Sequence, residues 1–241
     1  MFRLTKLEPP HGWTAVLWEL AIVTVGVLIA LGAQQFVDGI NQRSQARDAE
    51  QAIRGELEAN AARLRSRSTI KTCVDRRLEE IQAVINSADT TDGAIRTPSW
   101  IGRPQFWTMQ MARWQATSEA GRTALVPANE LARYGSMYSL ISRVNDEMAK
   151  EQEDWAELRS LEQLHRLSPE MAFQLTATLQ RAKYSNFRME VWTRQVMDVF
   201  GQLKLRRVSN EVAPSRSACV PMNTPRVQAI RESNAYIGVE P

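Results

Sequence analysis

The stretch whose reading decides the fold is WELAIVTVGVLIALGAQQFVDGI, Trp18 to Ile40. Between Ala21 and Ala33 it holds neither a charge nor an amide. That core makes roughly 20 Å of helix at 1.5 Å per residue. A hydrocarbon core of about 30 Å needs about 20 residues, so the segment must be extended at one end. Extending it forward to Val37 takes in Gln34 and Gln35, near the far interface. An amide there costs less than a carboxylate in hydrocarbon. Glu19 is therefore placed at the near interface, beside Trp13 and Trp18, where aromatic belts form. Residues 13–37 read as one membrane-spanning anchor.

Glu19, Gly26, Ala30 and Ala33 fall on one face of that helix. Small residues let a second helix approach closely, and a polar group on the same face can bond across the contact. The plainer reading is that small residues are common in spans and that Glu19 reaches for the headgroups. As a signal peptide the segment is poor. Arg3 and Lys6 suit an n-region, but Ala30-Leu31-Gly32 is a weak cleavage site, and no turn residue follows until Gly39. An uncleaved anchor is expected, with the N-terminus in the cytoplasm and the bulk of the chain in the periplasm. Local charge says little, since Arg3 and Lys6 face Arg43, Arg47 and Arg54 across the span.

Outward from the anchor the pattern is helical throughout. Ile53, Leu57, Ala61 and Leu64 repeat at helical spacing; after a slip, so do Ile70, Val74, Leu78, Ile81 and Ile85. No proline lies between Pro10 and Pro98. One long helix to about Asn86 is expected, weakest near Arg65 to Ser68. Residues 87–104 read as a loop. A second helix is expected from about Pro104 to Ala120, closed by Gly121. Pro127 suits the first position of a third helix, with Glu130 in its first turn. Its stripe is Leu131, Tyr134, Met137, Ile141, Val144, Met148, Trp155 and Leu158, nearly heptad like a coiled coil. Ser168-Pro169-Glu170 starts a fourth helix, running to about Leu205 with Phe173, Leu179, Phe187, Val191, Val199 and Leu203 inward. The third helix leans acidic and the fourth basic, and a connection this short makes them an antiparallel hairpin.

The fold class read here is all-α: an N-terminal transmembrane helix continuing into a long helix, packed with an antiparallel hairpin as an elongated bundle. The divisions are a short tail at 1–12, the anchor at 13–37, a helical bundle at 38–207 and an irregular tail at 208–241.

Charge excludes little by itself: 30 basic against 27 acidic residues leave a formal +3. Nucleic-acid binding would need those charges on one face, but Arg63, Arg65 and Arg67 fan around their helix. No phosphate loop, nucleophile elbow or dinucleotide fingerprint is present. With His11 and His165 the only histidines, no metal site is expected, and no cofactor. Glu151, Glu153, Asp154 and Glu157 lack a calcium-type loop and read as a solvated helix face. No constellation supports catalysis.

The aromatics Trp100, Phe106, Trp107 and Trp114 read either as a core plug at the bundle's end or as a partner-facing cluster. Trp107 and Trp114, seven apart, would share a helix face. Cys73 and Cys219 are the only cysteines. Cys73 borders the apolar stripe, and Cys219 lies in a tail with little other means of docking, so a disulfide is expected. That requires an oxidising compartment and Cα atoms within about 7 Å.

Glu19-Leu20-Ala21-Ile22-Val23, with Gly26-Val27-Leu28-Ile29-Ala30-Leu31, resembles the anchor of an uncharacterised bacterial family of single-pass membrane proteins. The resemblance covers about the first fifty residues. It implies a membrane location and brings neither an activity nor site residues with it.

The function expected is a non-catalytic, membrane-anchored helical scaffold or interaction protein. Its partners would be the lipid bilayer and a protein, or a second copy through span or bundle; no nucleic acid and no small-molecule ligand are expected. The alternative is a periplasmic ligand-binding sensory bundle. No second span is seen, so its bound ligand would lack an output domain on this chain.

Overall fold

The structure, a computed structural model, describes residues 12–88, 91–206 and 213–234. The expected tail at 1–12 lies outside them apart from Gly12. Helix α1 runs Gly12–Thr69 without interruption over 58 residues, about 87 Å at 1.5 Å per residue. It carries the apolar span directly into the folded part. Among the described residues its first buried one is Ala49, so packing begins well beyond residue 38, and the stretch between Val37 and Ala49 is a stalk.

The weak point appears as a break. Helix α1 ends at Thr69, Ile70 turns with φ −97° and ψ 4°, and α2 spans Lys71–Asn86. The cause is local. The Ser68 hydroxyl donates to Arg65 O at 2.6 Å and the Thr69 hydroxyl to Ser66 O at 2.8 Å. Such hydroxyls compete with the helical ladder for its carbonyls.

The helix expected over Pro104 to Ala120 is much shorter. Helix α3 is Ala112–Glu119, and residues 101–111 are non-helical. Side chains from neighbouring helices hold this segment open. Asn60 bonds both the N–H and the carbonyl of Gln110, at 2.8 and 2.7 Å. Asn145 does the same for Met109, at 2.8 and 3.1 Å. Glu56 then accepts from the N–H groups of Arg113 and Trp114, capping α3 from another helix where its own sequence supplies no cap. Gly121, at φ +67°, follows as a left-handed residue.

Helices α4 (Ala128–Leu158) and α5 (Pro169–Gln202) form the antiparallel hairpin. Pairs run in opposite senses along them: Arg133 with Gln202, Glu147 with Ser185, Asp154 with Arg181. Ser168 caps α5 by accepting from Met171 N at 3.2 Å, and Pro169 is its first residue. Pro127 is the cap residue of α4 rather than its first helical one.

The inward face of α5 differs from the expected one. Phe173 and Phe187 are 78% and 56% exposed. The seam instead follows Leu175, Leu179, Ala182, Asn186, Met189, Thr193, Val196 and Phe200, a 4-3 spacing in which polar residues hold register positions.

Helix α5 ends in a Schellman arrangement. Leu205 N donates to Phe200 O and Lys204 N to Gly201 O. Lys204 stands at φ 50° in the position glycine prefers. Arg54 caps the last carbonyls, donating to Leu203 O and Lys204 O. Lys204→Gly should stabilise the protein by about 0.5–1 kcal/mol, since a non-glycine residue is penalised there. Thermal unfolding reads this directly; an unchanged or lower midpoint would contradict it.

The described part of the 208–241 tail is structured rather than irregular. A 3-10 turn covers Ser217–Cys219, and α6 spans Arg226–Asn234. Helix α6 escapes a periodicity reading because its larger apolar residues, Val227 and Ile230, are exposed, while the small Ala229 and Ser233 are buried. Gly102, at φ +68°, lies so close to the tail that an added Cβ would sit 2.3 Å from Ser217 O. Only glycine meets both demands.

Candidate functional site

Two apolar clusters fill the bundle. The one nearer the span joins Ile53, Leu57 and Leu64 of α1 to Tyr134, Ile141 and Val144 of α4 and Val196 of α5. The farther one joins Val74, Leu78 and Ile81 of α2 to Trp155 and Leu158 of α4 and Leu179 of α5. Between them, level with the α1–α2 break, lies a layer of charge.

Its centre is Arg67. The guanidinium Nη2 donates to Glu151 Oε1 at 2.7 Å and to Asn186 Oδ1 at 3.3 Å. The Arg67 and Glu151 side chains are 4% and 0% exposed. Asn186 passes the chain on, donating to Asp75 Oδ1 at 2.6 Å. Asp75 also receives Lys71 at 2.5 Å, and Lys71 lies 3.6 Å from Glu190. Glu147 accepts from the Ser185 hydroxyl at 2.7 Å and pairs with Arg188 at 3.3 Å. Burial pushes the Glu151 carboxyl above the usual carboxylate range, and Arg67 pulls it back part of the way. Asp154 is also raised by burial, opposed by Arg181.

This corrects the reading of Glu151, Glu153, Asp154 and Glu157 as a solvated face. Glu151 and Asp154 are buried, and only Glu153 is fully exposed. A signal was present: the α4 stripe skips from Met148 to Trp155, and Glu151 occupies the missing seam position. Arg67 and Asn186 hold the matching positions on α1 and α5.

The other sequence candidates fall apart in space. Trp100 is buried with Val220 and Ala229. Phe106 packs partly buried against the farther cluster, Trp107 and Trp114 against the nearer one. Trp114 stacks on Tyr138 with ring centroids 4.9 Å apart. Trp107 precedes α3, so it and Trp114 share no helix face.

Cys73 and Cys219 are joined, with Cα atoms 4.8 Å apart. Around them Arg77, fully buried, donates to the carbonyls of Ile101, Val220 and Trp100 and pairs with Glu80 at 2.8 Å. The Trp100 indole donates to Ser217 O at 3.0 Å. The tail is thus docked by buried polar bonds as well as covalently.

Glu19, Gly26, Ala30 and Ala33 lie on exposed helix, and an added Cβ at Gly26 would meet nothing within 4 Å. None of the apolar segment there is buried within the chain. This helix is long and apolar enough to cross a membrane. Among the described residues no cluster of His, Cys, Asp or Glu is arranged to hold a metal. No family model, curated protein or solved structure matches the chain.

Proposed function

We propose that the chain is a non-catalytic, membrane-anchored helical scaffold of the bacterial inner membrane, with its N-terminus in the cytoplasm and its bundle in the periplasm. The observation that carries this reading is the single α1 helix. It runs from a wholly exposed apolar segment into a folded bundle whose packing starts only at Ala49. Such a segment is stable in water only if lipid or protein covers it. The Cys73–Cys219 bond supports the periplasmic side, since cytosolic thiols are kept reduced. The resemblance of the anchor to single-pass bacterial proteins points the same way. A scaffold holds its partner through the span, the bundle or both.

The face of Glu19, Gly26, Ala30 and Ala33 is the proposed helix-packing surface of the span. Gly26→Leu with Ala30→Leu should abolish or sharply reduce self- or partner association of the full chain in mild detergent. Particle mass, read by light scattering, checks this. A wild-type chain that is already monomeric and partnerless would count against the scaffold reading. Unchanged association in the variant would move the contact to the bundle.

A further inference from the structure

We propose that the Cys73–Cys219 bond is a thiol-exchange site, opened by a dithiol reductant, and that opening it loosens the latch made by residues 213–234. The proposal rests on the bond and its surroundings, and stands whether or not the chain is a scaffold.

The two ends of the bond sit in different settings. Cys73 is the third residue of α2, a helix with no side-chain cap and no acidic residue in its first turn. First-turn N–H groups lack helical acceptors and favour negative charge. Arg76 and Arg77 follow in the next turn and share one carboxylate, Glu80, at 3.7 and 2.8 Å. Asp75 is taken by Lys71 and Asn186. Arg76 is held against the bond, its Nη2 donating to Cys219 O at 2.9 Å. A helix start with cationic neighbours is the setting that stabilises a thiolate. Cys219 instead ends the 3-10 turn Ser217–Cys219. Both cysteines are half-buried, so a thiol from outside can reach the bond.

This asymmetry sets the direction of exchange. A reductant thiolate attacks Cys219 Sγ, the Cys73–Cys219 bond breaks, and Cys73 leaves as the more stable thiolate. The reductant's second thiolate then attacks the mixed disulfide and releases Cys219. The reductant ends as a disulfide and the chain gains its two electrons. Of the two protons the dithiol gives up, one goes to Cys219 and the other to solvent while Cys73 stays ionised.

The consequence follows from what the bond clamps. Arg77 donates to Val220 O, and the Trp100 indole donates to Ser217 O. Trp100 also forms a small apolar cluster with Val220 and Ala229 of the tail. With the bond open, these contacts hold the tail without a covalent tie, so it undocks more often and uncovers Trp100.

Glutathione serves as the probe thiol. The full chain in detergent micelles is equilibrated, without denaturant, in about 10 mM glutathione and about 0.1 mM of its disulfide, which leaves a structural disulfide roughly 1% reduced. At least about a tenth of the chain should carry free thiols, counted by gel shift after an acid quench and maleimide labelling; a smaller share would overturn the proposal. Peptide mass spectrometry after a short pulse should find glutathione mainly on Cys219; glutathione mainly on Cys73 would overturn the assigned direction. Arg76→Gln should lower the reduced share about threefold, and Arg76→Lys should restore it. An equal or larger share in Arg76→Gln would mean that Arg76 only docks the tail. Hydrogen exchange of the reduced wild-type chain should quicken in residues 213–234 and stay unchanged in the α4–α5 hairpin. Unchanged exchange in the tail would overturn the latch.

Discussion

An Arg67→Met variant is expected to lose about 3–5 kcal/mol of folding stability, because it strands a buried carboxylate. Glu151 is fully buried and takes its strongest bond from Arg67, at 2.7 Å. Without that partner the carboxyl must protonate or draw water into the bundle. Burial already raises its pKa in the intact protein. A carboxyl whose folded-state pKa lies above its unfolded value gives up stability as pH rises between the two. In the variant that loss should deepen, so the deficit should be larger at pH 7 than near pH 4. The double variant Arg67→Met with Glu151→Leu should recover most of it, since replacing both ions with apolar groups is often neutral or stabilising. Urea unfolding of the detergent-solubilised chain, followed by circular dichroism at both pH values, reads all three quantities. A single-variant cost below about 1 kcal/mol would mean that Glu151 reaches solvent, as exposed pairs do.

Removal of the disulfide, as Cys73→Ala with Cys219→Ala, is expected to cost about 2–5 kcal/mol. The residues stand 146 apart, and long closed loops lie at the upper end of that range in the chain-entropy account. The loss should be local in its first consequence. Arg77 and Trp100 still hold the tail through Ile101, Val220 and Ser217 carbonyls, so docking is weakened rather than abolished. Hydrogen exchange should show protection falling in residues 213–234, at 100–103 and at the start of α2. The α4–α5 seam should keep its protection. Uniform loss over the whole bundle would contradict this division.

The anchor was legible because hydropathy sums over a long window and tolerates single exceptions such as Glu19. The α4 seam was legible where its residues are apolar. What the sequence hid is mostly polar and tertiary. Arg67, Glu151 and Asn186 occupy seam positions, but a charge at such a spacing looks like a solvated residue until its partner on another helix is known. Asn60 and Asn145 hold residues 109 and 110 non-helical from helices about 36 to 50 positions away, so no local pattern could show that the helix expected from Pro104 starts only at Ala112. Phe173 and Phe187 misled because aromatic bulk outweighed the small and polar residues that set the α5 register. Helix α6 was missed because alanine and serine, rather than large apolar side chains, form its buried face.

The central claim, a single anchor with the bundle held outside the cytoplasm, is tested most directly by a fluorescent reporter that matures only in the cytoplasm, fused after Pro241. Cells making the fusion, verified at full length by immunoblot, should stay dark, because the bundle and everything after it has crossed the membrane. Bright, membrane-localised fluorescence from the intact fusion would place the bundle in the cytoplasm and contradict the topology, and with it the compartment that the Cys73–Cys219 bond requires.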